Sequence, residues 1–329
     1  MCLKKSILII LSIFYFSTFA FAKQEVLKTI PLQNKPSQIT INTKLNKIYI
    51  THRDNDLITV INGETDEVES TFNVNGSPNG IAINKRNDRI YIVAGDEDKL
   101  RIINQVDNST LRSISVDSTP VSVAINSRTG KAYVANSNSG SISVIDSGAK
   151  RVIDTISTKN SPADLAIDES NNHIFVTNQD SEDISVIDGD SNSNIKTDSL
   201  GDTPHSIIFN PSDGKAYISL QGDNKIASAE LEKKLFFTSL NIDDFNGGET
   251  PSGLALNKKR NKLFVANRDS DKISIINLSN KKIETTINVG DSPSQLAFNT
   301  KTNKLYVINR ESSSVSVIGD IPETTPPVP

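Results

Sequence analysis

The chain has 329 residues, with 35 Lys and Arg against 39 Asp and Glu, a formal charge of −4, no Trp and a single Cys at position 2. Cys2 precedes the first apolar run, so a chain processed after that run has no thiol, which excludes disulfides, thiolate metal sites and cysteine nucleophiles from it. Losing Lys4 and Lys5 takes the formal charge from −4 to −6 for residues 23–329. That balance disfavours general nucleic-acid binding, which is driven by clustered cations and counterion release.

Lys4 and Lys5 lead into an apolar stretch from Ser6 to Phe19, followed by Ala20-Phe21-Ala22. A cationic start, a short apolar core and small residues before a cleavage point describe a Sec-type signal peptide. The stretch is short for a span of about 20 residues, and Cys2 lies on the wrong side of it for lipid attachment. Residues 1–22 are expected to be a signal peptide. The mature chain is then expected to be periplasmic or secreted, with no membrane span after cleavage.

From Pro36 onward a block recurs, as in TPVSVAINSRTGKAYVANSNSGSISVID and TPSGLALNKKRNKLFVANRDSDKISIIN. Its prolines are Pro36, Pro78, Pro120, Pro162, Pro204, Pro251 and Pro293, separated by 42, 42, 42, 42, 47 and 42 residues. A period near 40 with strand-like content indicates propeller blades. The third block predicts four strands, Val121 to Asn126, Ala132 to Asn136, Ile142 to Asp146 and Val152 to Ile156, separated by the Gly, Asn and Ser that tight turns use. The first strands alternate apolar and small residues (Ile81-Ala82-Ile83, Val123-Ala124-Ile125, Leu165-Ala166-Ile167, Leu254-Ala255-Leu256), which suits blades converging on an axis.

The last block has only three strands, and Val26 to Leu32 matches Ile283 to Val289, so the N-terminal segment is expected to supply the missing outer strand and remove the exposed edges. The fold expected is all-β: a single seven-bladed β-propeller over residues 23–321, four antiparallel strands per blade, closed by the N-terminal strand. Residues 322–329, PETTPPVP, are expected to be a Pro-rich disordered tail.

Tyr133-Val134-Ala135-Asn136, Phe175-Val176-Thr177-Asn178 and Phe264-Val265-Ala266-Asn267, each followed by a Val-Ile-Asp-like strand, resemble the YVTN family of β-propeller repeats and its YncE-like periplasmic propellers, over Glu25 to Ile318. The resemblance implies a seven-bladed ring with a binding or scaffolding role, in a neighbourhood that includes lactonase-like propeller enzymes. Fold alone does not decide function.

In such a ring the loop entering each innermost strand and the loop joining the second and third strands share one face, the top. His52, His205 and Asp164 fall there, and His173 falls in a bottom loop. The residue after each YVTN-like strand is Arg53, Gly95, Ser137, Gln179, Gln221, Arg268 and Arg310 in blades 1 to 7, which groups three arginines on adjacent blades 6, 7 and 1. Guanidinium groups suit bidentate recognition of carboxylate or phosphate, whereas pairing with Asp54, Asp269 and Glu311, each the next residue, would leave a screened rim.

Metal or catalytic sites need three or more convergent groups, and neither the histidines nor Asp164 supply them, so no cofactor or metal is expected. Asp188 to Asn194 resembles a calcium loop, but Ser193 and Ser199 replace the required Gly and Glu, and a solvated turn is expected. Ile242 to Gly248 supplies the five extra residues of blade 5 and could act as a ligand lid. The functional expectation is an exported, non-enzymatic, monomeric binding or scaffold propeller that presents a ring face to an envelope protein, a glycan or a small anionic ligand. Its ligand-binding residues would be Arg53, Arg268, Arg310, His52, His205 and Asp164. The alternative is a lactonase-like or lyase-like enzyme acting at the channel mouth.

Overall fold

The computed structural model describes residues 23–148, 150–231, 235–240 and 248–321. These form seven four-stranded antiparallel sheets, six of them ordered from an innermost to an outermost strand as the chain runs and the seventh taking its outermost strand from the N-terminal end. Successive innermost strands pack against one another, and the last, Pro293–Asn299, lies beside the first, Gln38–Asn42, so the sheets close into a ring. The expected signal segment, the C-terminal tail and all of the blade 5 insertion except Gly248 lie outside the described residues. Among the described residues no helix is long and apolar enough to cross a membrane.

Blade 3 consists of Pro120–Ile125, Lys131–Asn136, Ser141–Asp146 and Arg151–Ser157, within a residue or two of the sequence reading. His173 is the first residue of a strand rather than part of a loop, and pairs with Asp168 on one side and Asp188 on the other. Tight turns at both ends of the blades place Asn or Asp at positive φ, as at Asn46, Asn172, Asn261 and Asn303 on the bottom and at Asp56, Asp98 and Asp271 on the top. These short side chains tolerate the left-handed region better than other non-glycine residues.

The second and third strands carry the core. Tyr49, Tyr91, Tyr133, Phe175, Phe264 and Tyr306 are fully buried at one repeat position of the second strand. Phe175 stacks on Phe209 of the next blade with ring centroids 5.8 Å apart, and Phe264 on Phe298 at 5.6 Å. Each core cluster draws on two neighbouring blades, so no blade buries its apolar faces alone.

The ring closes as expected: Gln24–Pro31 pairs antiparallel with Ser314–Asp320, completing blade 7. This pairing skips Leu27, a one-residue bulge. The outer strands of blades 1, 2, 3, 4 and 6 skip Glu69, Leu111, Ile153, Ile195 and Glu284 in the same way. The N-terminal strand is therefore in phase with the repeat down to its bulge. The bulge also accounts for exposed apolar side chains at Leu27, Leu111, Ile153 and Ile195, since the extra residue turns outward from the sheet.

Candidate functional site

The top mouth of the channel is built from three stacked rings of repeat-equivalent residues. The deepest ring is Gln38, Gly80, Ser122, Asp164, Ser206, Gly253 and Gln295, set by the start of each innermost strand. Neighbouring strands crowd here: a Cβ on Gly80 would lie 2.7 Å from the Cα of Ser122, and one on Gly253 2.7 Å from the Cα of Gln295. Above it come the residues that follow each repeat proline, among them Asn79, Ala163, His205 and Ser294. The outermost ring holds Arg53, Ser137, Gln179 and Arg310. Together they enclose a cavity of about 350 Å³.

Among the described residues Asp164 is the only acidic one lining this cavity, and its oxygens are engaged. One accepts from the Ser122 hydroxyl at 2.8 Å and the Leu165 amide at 2.9 Å; the other accepts from the Ser206 hydroxyl at 3.2 Å and the Ile207 amide at 3.1 Å. The four donors tie blades 3, 4 and 5 together. Burial pushes its carboxyl above the usual range, opposed by the Ile207 and Leu165 amides and the Ser122 hydroxyl.

His205 lies on the neighbouring blade. Burial lowers its pKa, the Asp164 carboxylate opposes that shift, and Arg268 adds to it. The ring is therefore neutral at pH 7, and its buried Nδ1 makes no hydrogen bond among the described residues.

The arginines divide into two behaviours. Arg268 pairs with its sequence neighbour Asp269 at 3.1 Å and does not line the cavity. Arg310 reaches across the ring seam to Asp54 at 3.6 Å and to the Pro36 carbonyl at 3.5 Å, while Glu311, its neighbour in sequence, pairs with Lys35 at 2.5 Å. Arg53 has no ion pair among the described residues. Arg53 and Arg310 line the cavity together with His205 and Asp164.

His52 stands apart. Its ring is fully buried, with Nε2 2.8 Å from the Thr59 hydroxyl and Nδ1 3.3 Å from the Lys35 carbonyl. In blades 3, 4 and 7 the same position holds Asn136, Asn178 and Asn309, whose amides donate to Ser143, Ser185 and Ser316 at 3.0, 2.9 and 2.9 Å. His52 and Thr59 are the blade 1 version of that pair, seven residues apart like the others. The sequence points to His52 as part of the binding face; its side chain is instead a packing group inside the blade, because the second strand of every blade ends in the sheet interior.

Among the described residues no three His, Cys, Asp or Glu side chains converge as a metal site would require. At the calcium-like stretch, the Asp188 carboxylate accepts from the Asp190 amide at 2.8 Å and the Ser191 amide at 3.3 Å, closing a turn on itself.

Residues 195–325 match the family model described as "Lactonase, 7-bladed beta-propeller", a span from the outer strand of blade 4 through blade 7. Among solved structures, the chain is similar to one titled hydrazine synthase from Kuenenia stuttgartiensis, with a TM-score of 0.77, 18% identity, and coverage of 86% of this chain and 95% of that one. At that identity the likeness is one of fold. No curated protein matches the chain. The chain is a seven-bladed β-propeller. The matched span includes His205, Arg268 and Arg310 but neither Arg53 nor Asp164, so the cavity draws on blades inside and outside it.

Proposed function

We propose that this propeller is an exported binding protein whose top cavity takes a small anionic ligand on the ring axis. The observation that carries the reading is the imbalance of free polar groups in the cavity. Arg53 lacks an ion pair among the described residues and Arg310 has only a long one, while the one carboxylate among the described lining residues, Asp164, is occupied by four donors. Groups from blades 1, 7 and 5 face a common space of about 350 Å³, the size of a small-molecule site rather than of a protein or glycan surface. Guanidinium groups supply paired donors to a carboxylate or phosphate. Calorimetric titration of residues 23–329 with inorganic phosphate, citrate and sugar acids tests this. Binding of at least one is expected, weakened at least tenfold in Arg53→Gln/Arg310→Gln and little changed in Arg268→Gln; equal affinity across all three proteins would overturn it.

The family match favours a second reading, hydrolysis of a lactone at the same mouth. A neutral His205 can accept a proton from water, and Arg53 and Arg310 can stabilise the developing oxyanion. Turnover of a lactone panel that is lost in His205→Ala would favour this reading over binding alone.

A further inference from the structure

The channel has a second cavity at its opposite, bottom end, of about 480 Å³. Its wall follows from one repeat position in the middle of the innermost strands: Thr40, Ala82, Ala124, Ala166, Ile208, Ala255 and Ala297, each paired with the aromatic residue of its second strand. Five of the seven are alanine and Ile208 is the one large side chain; Ile125, Leu165, Ile167, Ile207 and Phe209 supply most of the rest of the apolar wall. Ala124, Ala166 and Ile208 line the cavity directly.

At the mouth of this bore stand Lys85 of blade 2 and Lys258 of blade 6, exposed at its rim. Neither ammonium makes a hydrogen bond or an ion pair with another described residue. Partial desolvation at the rim, and next the nearby charge of Lys85, hold the Lys258 amine below its usual range, with Glu169 opposing. Two carboxylates share the mouth, each also held by hydrogen bonds to its neighbours. Asp168 is held by Ser170 and by the Asn171 side chain at 2.7 Å, and Glu169 accepts from the Ser127 amide at 3.0 Å. Two like charges at one rim repel, and an anion bound there relieves the repulsion.

We propose that this bottom end of the channel is a second ligand site, for an amphipathic carboxylate whose head lies between Lys85 and Lys258 and whose apolar tail enters the apolar bore. The tail gains by leaving water in proportion to the apolar surface it buries, and the head by ion pairing at a partly desolvated rim. The site is independent of the top cavity, with which it shares no lining residue.

The test is calorimetric titration of residues 23–329 with decanoate, with acetate and decanol as probes lacking tail and charge respectively. Decanoate is expected to bind at least tenfold more tightly than either. Lys85→Gln/Lys258→Gln should weaken it at least tenfold, Lys85→Arg/Lys258→Arg should retain it, and Arg53→Gln/Arg310→Gln should leave it unchanged. Ala124→Trp, which fills the bore and leaves the lysines in place, should abolish tail-dependent binding, its thermal midpoint serving as the check that the ring is intact. Absence of decanoate binding, equal affinity for acetate, or equal affinity in the Lys→Gln variant would overturn the proposal. Loss of binding in the Arg53→Gln/Arg310→Gln variant alone would place the ligand in the top cavity and overturn it as well.

Discussion

The phenol of Tyr306, in the second strand of blade 7, donates to the Asp66 carboxylate of blade 1 at 2.6 Å. The other oxygen of Asp66 takes Lys304, also of blade 7, at 2.6 Å. Asp66 thus joins the first and last blades through two donors, at a turn position where blades 2, 3, 4 and 6 carry Asn108, Lys150, Asn192 and Lys281, all likewise at positive φ. Burial, and next the bond to Asp66, push the Tyr306 hydroxyl well above the usual phenol range.

Asp66→Ala should therefore destabilise the ring. It leaves the half-buried Lys304 ammonium without its acceptor and the buried Tyr306 hydroxyl with only the Gly63 carbonyl at 3.4 Å, a loss of roughly 1–3 kcal/mol. Denaturant unfolding checks the value, and Asp66→Ala combined with Tyr306→Phe should cost less than the two single changes added together, because the partners share one interaction. A midpoint unchanged in Asp66→Ala would show that the seam does not depend on this carboxylate.

Removing residues 23–32 should have a larger effect. Ile30 is buried in a cluster with Val315, Ile39 and Ile48, and the segment provides the whole outer strand of blade 7. Without it, Ser314–Asp320 becomes an open edge able to pair with another molecule. A protein beginning at Gln33 is expected to melt at lower temperature and to aggregate in light scattering. Melting that matches the longer protein would contradict the closure account.

The ring was legible in the sequence because one period recorded both strand and position: residues 42 apart occupy the same level of neighbouring blades. That period already places Ser122, Asp164 and Ser206 side by side, but the clasp on Asp164 also needs the Leu165 and Ile207 amides, which residue types alone do not reveal. The role of His52 was legible too, in the seven-residue spacing to Thr59 that it shares with Asn136 and Ser143. The partners of the arginines were not. Asp54 reaches Arg310 and Lys35 reaches Glu311 only because the chain ends meet, and pairing between adjacent residues held for Arg268 and Asp269 alone.

His52 gives a pH-dependent test. Burial holds its folded-state pKa below the ordinary value, outweighing the Lys35 and Asn34 carbonyls, so the unfolded chain binds more protons as pH falls below about 6.5. Its stabilising contribution is present above that pH and is lost on acidification toward the folded value. His52→Asn, which installs the asparagine of blades 3, 4 and 7, should fold with stability within about 1 kcal/mol of the parent at pH 7.5. It should also lose less stability between pH 7.5 and 5.5, read from urea midpoints. His52→Leu, which strands the buried Thr59 hydroxyl, should be less stable at both pH values. Equal acid sensitivity in the parent and His52→Asn would place the titration elsewhere.

His205 provides the test that separates binding from hydrolysis. Its folded-state pKa is lowered by burial, against the pull of Asp164 and with the push of Arg268. An anion on the axis would oppose that shift and raise the pKa, so the complex takes up a proton that the free protein does not hold. By linkage, affinity for an anion should rise as pH falls from 7.5 toward 6, and level off once His205 is protonated in the free protein as well. A base that must accept a proton from water behaves in the opposite way: kcat/KM for a lactone should not rise on acidification, and should fall once the pH drops below about 6.5 toward the lowered His205 value. His205→Asn should flatten either profile, whereas His52→Asn, with its ring outside the cavity, should change neither. Titration of residues 23–329 at four pH values in this window, together with lactone turnover at the same values, reads both signs. An anion affinity independent of pH, or one whose pH dependence survives in His205→Asn, would remove His205 from the ligand's surroundings and leave Arg53 and Arg310 as the groups that hold it.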